Sequence, residues 1–350
     1  MSSSVNRVKN RVRFRFAGLE IEFVDREKAL KQVFEWSEKG TWNPIVVFGP
    51  EGCGKTAWLR QSVEILKDLG YSVIYFNPMM REFIAEVKIE DIKQRALEVL
   101  KRATSGYTLA RFAWSVVDFA REVIRLGRKR LAIIIDDAFQ FIGSKEASFI
   151  VKGMLELIEY PPENYDRIIA IAATSEGFSR VEIGRHRWAD IMPMWNMSRK
   201  GFEELYEQVH KKSSGLIPSF EDIWRLTGGN PEMLENLVRF NWVVDRVVER
   251  IIKSKKLESF TASLSIDEKK WLLESVEDPD TLFTRERMSL LNKLVELNLV
   301  IDDIPWRKEY LWIDEPPLEK DLELGVGKLV AWQTPLHREA VKRVLKESIS

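Results

Sequence analysis

The stretch IVVFGPEGCGKTAWL, residues 45–59, constrains the fold more than any other part of the chain. Ile45 to Phe48 is an apolar run of the kind that a parallel sheet buries on both faces, and Gly49 to Thr56 then matches G-x-x-x-x-G-K-T. An amphipathic stretch follows and stops at Gly70. Strand, glycine-rich loop and helix in that order predict a phosphate-cradling loop. Gly49, Gly52 and Gly54 let the main-chain N–H groups curl round a diphosphate at a helix N-terminus, and Pro50, Glu51, Cys53 and Ala57 complete the cradle. Lys55 is expected to reach the β- and γ-phosphates, and the Thr56 hydroxyl to ligate Mg²⁺. ATP or ADP is the expected ligand.

Such a loop needs a carboxylate-bearing strand, and RLAIIIDDAFQF, residues 130–141, supplies one. Leu131 to Ile135 reads as a strand buried on both faces, with Asp136 and Asp137 at its C-terminal edge, where ligands collect in open α/β sheets. Asp136 is expected to hold Mg²⁺ through water. Asp137 either polarises an attacking water or caps the next segment. A third strand, from Arg167, turns polar at Thr174 and Ser175, which either touch the γ-phosphate and its water or simply end the strand in a capped turn. Arg185 then precedes another short apolar strand and is a candidate for offsetting transition-state charge, ahead of Arg180 and Arg187. Upstream, FVDREKAL (23–30) reads as a turn into a helix, with Asp25 as N-cap and Phe23 and Val24 as an apolar floor for adenine.

FVDRE, GPEGCGKT, IIIDD, AATS, IGRH and LTGGNP occur in this order, and together they resemble the archaeal ATPase family within the STAND and AAA+ branch of P-loop ATPases. The resemblance covers roughly residues 20–345. It implies an α/β sheet of strand order 5-1-4-3-2 and a helical lid. It also implies that Arg26 helps hold the nucleotide, and that Gly229, Asn230 and Pro231 start a lid helix whose N-terminus faces it. Residue chemistry agrees with the last point, since Asn suits an N-cap and Pro a first helical position. The family commonly carries Glu as the second acid. Asp137 departs from that by one methylene and implies slow hydrolysis.

The expected domains are 1–197 for the α/β ATPase domain, 198–257 for the lid and 258–350 for a winged helix, the last read from a pattern of helix (265–275), helix (285–298), strand, turn, strand and a final helix after Pro335. The lid opens on SRKGFEEL, which resembles a capping box, and ends in WVVDRVVERIIKSKKL, apolar on one side and basic on the other. Lys+Arg and Asp+Glu are both 54, so no overall field draws the chain to nucleic acid or anionic lipid. The supposed wing, from Val300 to Leu324, is acidic and would repel a DNA backbone, which favours an unknown protein partner. A DNA-clasping protein resembling archaeal origin-recognition ATPases is the alternative, and an ATP-binding scaffold without turnover a third. In RVKNRVRFRF the cations Arg7, Lys9, Arg11, Arg13 and Arg15 share one face of an expected strand, as either an edge guard or a contact for an acidic partner. Cys53 is the single cysteine, so no disulfide framework or cysteine-rich zinc site exists; in the loop it is a small filler or a reactive thiol. No signal peptide or membrane-length apolar run is legible, and a cytoplasmic location is expected. Oligomeric state leaves no mark in the sequence.

Overall fold

The computed structural model describes residues 10–77, 82–86, 106–127, 129–137, 139, 144–175 and 183–349. The chain forms two compact units. The first takes in residues up to 12, then 26–48 and 55–193; the second takes in 13–25, 49–54 and 194–350. The division falls inside the basic N-terminal stretch: residues to 12 go with the first unit, and the strand that starts at Arg13 with the second. No helix among the described residues is long and apolar enough to cross a membrane.

In the first unit, β3 (Ile45–Phe48), β4 (Ser72–Asn77), β6 (Arg130–Asp136), β7 (Arg167–Ala173) and β8 (Asp190–Pro193) pair in parallel in the order β4-β6-β7-β3-β8. Counted as parallel strands this is 5-1-4-3-2, as the resemblance implied. β4 was implied only by that strand order, and β5 (Glu82–Glu86), which runs antiparallel along the outer edge of β4, was not foreseen. It carries an acid at each end, Glu82 and Glu86, with three apolar residues between them, and charge at the ends suits an edge strand. The helices are α1 (Glu27–Lys39), α2 (Lys55–Asp68), α3 (Gly106–Arg125) and α4 (Ser144–Glu159). Leu131, Ile133 and Ile135 of β6 pack with Val117, Ala120 and Ile124 of α3 and with Ile150 and Met154 of α4 in one cluster. Alternation along β6 turns Ala132, Ile134 and Asp136 to the other face.

The second unit begins with the hairpin β1 (Arg13–Phe16) and β2 (Leu19–Glu22), closed by Ala17 and Gly18 at φ 49° and 87°, as a tight primed turn requires. Its helices are α5 (Arg199–Lys212), α6 (Phe220–Thr227), α7 (Pro231–Arg239), α8 (Val244–Ser254), α9 (Leu257–Ala262), α10 (Ile266–Glu277), α11 (Met288–Glu296) and α12 (Pro335–Ile349). The strands between α11 and α12 are β9 (Val300–Ile301) and β10 (Ala331–Trp332), an antiparallel pair of two residues each with a 3-10 turn at Glu309–Leu311 between them, so the expected strand–turn–strand is much shorter in strand and longer in loop. Phe16, Phe202, Leu234, Val248, Leu291 and Leu336 belong to one continuous core, which draws on nearly every element of the unit. Ser198 caps α5 through the Gly201 N–H, but the residue three on is glycine, so the expected capping box is absent there; a complete one, Ser265 with Glu268, starts α10.

Candidate functional site

Within the first unit, the C-terminal ends of β4 and β6 and the first turn of α2 assemble a polar cluster. Asp136 ends β6 almost fully buried, on the same face as Tyr75 and Asn77 of β4. Tyr75 Oη donates to Asp136 Oδ2 at 2.8 Å and Asn77 Nδ2 to the same oxygen at 2.9 Å. The Thr56 hydroxyl, one residue into α2, also hydrogen-bonds the Asp136 side chain. Burial raises the Asp136 carboxyl above the usual carboxylate range; the Tyr75 hydroxyl opposes this, Asp137 adds to it, and Thr56 and Asn77 oppose it. Tyr75 in turn is pushed up, by burial first and by the Asp136 charge second. Thr56 and Asp136, the two expected metal ligands, are thus brought together. They offer hard oxygen donors, and the described residues contain no group of three or more His, Cys, Asp or Glu suited to a protein-only metal cage.

Asp137 follows at φ 54°, a left-handed conformation in which short polar side chains are enriched, and its N–H donates to Ala173 O at 3.0 Å. That conformation offers a main-chain reason for aspartate where longer glutamate is usual. Thr174 is buried, and its N–H donates to Val47 O at 2.9 Å, so β7 does deliver it beside β3; Ser175 follows, half-buried. Lys55 opens α2 and is buried. Arg26 is buried too, at φ 68°, and its carbonyl accepts the Leu30 N–H at 2.8 Å in starting α1. Arg185 and Arg187 are exposed in the turn leading to β8. Arg180 lies outside the described residues.

Within the second unit, the loop residues 49–54 meet α7 and the segment before α12. A Cβ on Gly49 would stand 2.0 Å from Met194 O, and one on Gly52 would stand 2.2 Å from Glu232 Cβ, so neither glycine is replaceable without a shift. The GGNP turn is built as its chemistry predicts. Gly228 ends α6 in the left-handed conformation, Asn230 caps α7 by accepting the Met233 N–H at 3.1 Å, and Pro231 is the first helical residue. Asn230 Nδ2 also donates to Glu51 O at 2.9 Å. Gln333 Oε1 accepts the Glu51 N–H at 2.9 Å, and Lys255 Nζ lies 2.8 Å from Glu51 Oε2. Beside them is a cavity of about 320 Å³ whose lining includes Glu51, Glu232, Arg250, Lys255 and His337. Burial, then the Glu51 charge, raises the Glu232 carboxyl.

Asp25 corrects an expectation. It does not cap α1, whose N-cap residue is Arg26, and no side chain makes the capping hydrogen bond there. Asp25 sits at φ 66°, and its carboxylate accepts the Ser198 N–H at 3.2 Å and the Ser198 hydroxyl at 3.1 Å. Phe23 is buried, and Val24 packs against the second unit's core. Cys53 is buried, its Sγ 3.7 Å from Met194 O, as a small filler of the turn would be. Of the N-terminal cations, Arg11, Arg13 and Arg15 alternate with less exposed residues as expected, while Arg7 and Lys9 lie outside the described residues. Tyr75 and Asn77 were missed from sequence, though two polar side chains one period apart in an otherwise apolar strand were a usable signal.

The model of a family of ATPase domains predominantly from Archaea matches residues 23–237. Among solved structures the chain is similar to Cdc6p from Pyrobaculum aerophilum, with 16% identity, coverage of 93% of this chain and 94% of that one, and a TM-score of 0.37. It is similar also to the Aeropyrum pernix ORC1 protein solved in complex with DNA (16% identity, 93% of each chain, TM-score 0.34). A third is AMPPCP-bound DnaA from Aquifex aeolicus (17% identity, 76% of each chain, TM-score 0.35). No curated protein matches. The matched span holds the phosphate loop, Asp136 and the GGNP turn, and the chain belongs to the family of ATPase domains found predominantly in Archaea.

Proposed function

We propose that this chain binds ATP with Mg²⁺ at the loop Gly49–Thr56, hydrolyses it slowly, and works as a nucleotide-controlled conformational switch of the STAND and AAA+ kind. The observation that carries the reading is the hydrogen bond between the Thr56 hydroxyl and the buried Asp136 carboxylate. Thr56 and Asp136 would hold Mg²⁺, which would supply positive charge to offset what develops on the phosphates during transfer. Lys55 holds the β- and γ-phosphates, Asp137 orients the attacking water, and Arg185 offsets transition-state charge on its own subunit's nucleotide or a neighbour's. Phe23, Val24 and Arg26 hold the nucleoside side, and Thr174 and Ser175 sense the γ-phosphate. A change in loop shape at residues 49–54 is felt by the side chains of Asn230, Lys255 and Gln333 that grip Glu51, which supports a switch rather than a hydrolase alone.

Residues 258–350, read as a winged helix, support a protein partner better than DNA. Arg287 lies 2.7 Å from Glu274 and 5.5 Å over the Trp271 ring, and Lys293 lies 2.7 Å from Glu268. In the N-terminal hairpin Arg13 reaches Glu20 at 3.2 Å and Glu22 at 3.0 Å. Carboxylates already answer these cations, which weakens any pull on phosphate backbones. Phosphate release by the wild-type chain, with and without duplex DNA, tests the reading. Slow release that DNA leaves unchanged supports it. Strong stimulation by DNA favours the DNA-clasping alternative, and tight ATP binding without release favours a scaffold.

A further inference from the structure

Glycine-rich loops bind phosphate only while their N–H groups keep a fixed curl, and glycine itself supplies no rigidity. The rigidity here comes from Glu51, the residue between Pro50 and Gly52, both of whose main-chain groups are held by buried amides. Its N–H donates to Gln333 Oε1 and its carbonyl accepts from Asn230 Nδ2, each at 2.9 Å. Asn230 Nδ2 also donates to Asn196 Oδ1 at 2.9 Å, and Asn196 Nδ2 donates to Gln333 O at 3.0 Å. The four residues close a ring. Asn230, Gln333 and Asn196 are 0%, 2% and 4% exposed. The ring's polarity is fixed, because main-chain N–H groups only donate and main-chain carbonyls only accept, which sets each amide's orientation in turn. Glu232 adds a further hold, donating its N–H to Gly52 O at 3.3 Å.

We propose that Gln333 and Asn196 are positioning residues for phosphate binding: by fixing Glu51 they preset the loop before nucleotide arrives. Gln333 lies far beyond residue 237, where the family match ends, so the last strand of the chain, which runs into Gln333, sets nucleotide affinity. The inference rests on the nucleotide-binding reading above. Loss of one ring bond frees the loop to sample other shapes, and binding then includes the work of ordering it.

The test is equilibrium binding of fluorescent ATP and ADP analogues to the full chain, together with KM and kcat and the thermal transition without nucleotide. Gln333→Met keeps size and removes the acceptor; Asn196→Asp keeps the acceptor for Asn230 and removes the donor to Gln333. Gln333→Met is expected to weaken both nucleotides by about tenfold, raising KM with kcat within about twofold because the bound loop is the same. Asn196→Asp, one step removed from Glu51, is expected to follow in the same direction by a few-fold. A lowered thermal transition with unchanged nucleotide affinity in the folded protein would mean that the ring is only structural and overturns the inference. Should Gln333→Met fail to fold, unchanged affinity in Asn196→Asp overturns it equally. A wild-type chain that binds no nucleotide overturns the functional reading and this inference with it, whereas normal wild-type binding matched by both variants overturns this inference alone.

Discussion

Tyr75, in the middle of β4, donates its hydroxyl proton to the buried carboxylate of Asp136 at the end of β6, at 2.8 Å. Adjacent parallel strands thus share the task of keeping one desolvated acid where a cation can use it. Tyr75→Phe removes that bond and leaves Asn77 and Thr56 as the side-chain donors named by the geometry. A hydrogen bond to a charged group contributes about 2 kcal/mol, so the variant is expected to lose about that much stability in urea unfolding. Its Asp136 carboxyl should also titrate higher than in the wild type.

Asp137→Glu tests the second acid in two readouts. Restoring the missing methylene is expected to raise the rate of phosphate release. The left-handed main chain at residue 137, with φ 54°, suits glutamate less well, so stability should fall by roughly 1 kcal/mol. Faster turnover in a less stable protein is the expected pair. An unchanged or slower rate would remove Asp137 from the water-orienting role.

Gly201→Ala is expected to cost about 2 kcal/mol or more, because the new Cβ would stand 1.9 Å from Asp25 Cγ. The Asp25 carboxylate holds Ser198 at the start of α5, so the same change should loosen that cap. Pairing it with Asp25→Gly, which removes both the Cγ and the Cβ that would otherwise stand 2.2 Å away, should recover part of the loss, and a double-mutant cycle measures the coupling.

His337 sets a pH dependence. Its imidazole is buried and pushed down from 6.5 to about 4, by burial first and Lys255 second, against an opposing pull from Glu51. The unfolded chain takes up a proton near 6.5 while the folded one resists until about 4, so between these values the unfolded state binds more protons. Stability present above the upper value is therefore lost as pH falls through the window, by on the order of 3 kcal/mol. Urea unfolding across that range should show the slope, and His337→Gln should flatten it.

How much of this was legible in sequence depends on whether a feature is local. β3, β6 and β7 were readable because burial on both faces writes them as apolar runs, and the loop, its helix and the GGNP turn were readable because each is a few contiguous residues with fixed main-chain demands. Asn230 is the instructive case. Its cap was visible three residues downstream, but its second bond, to Glu51, spans 179 residues and leaves no local trace. Asp25 failed for the same reason: its partner Ser198 is 173 residues away, and the helix it seemed placed to cap starts without a side-chain bond. Strand β5 was hidden because its apolar run is three residues long, Phe83 to Ala85, between two acids, too short to mark a strand by periodicity.

The most direct measurement is the binding of a fluorescent ATP analogue to the wild-type chain and to Lys55→Ala, with and without Mg²⁺. Removing the ammonium proposed to hold the β- and γ-phosphates is expected to weaken binding on the order of a hundredfold, and omitting Mg²⁺ to weaken the wild type. Equal binding by both proteins, or none by the wild type, would contradict the account of Gly49–Thr56 as an ATP site.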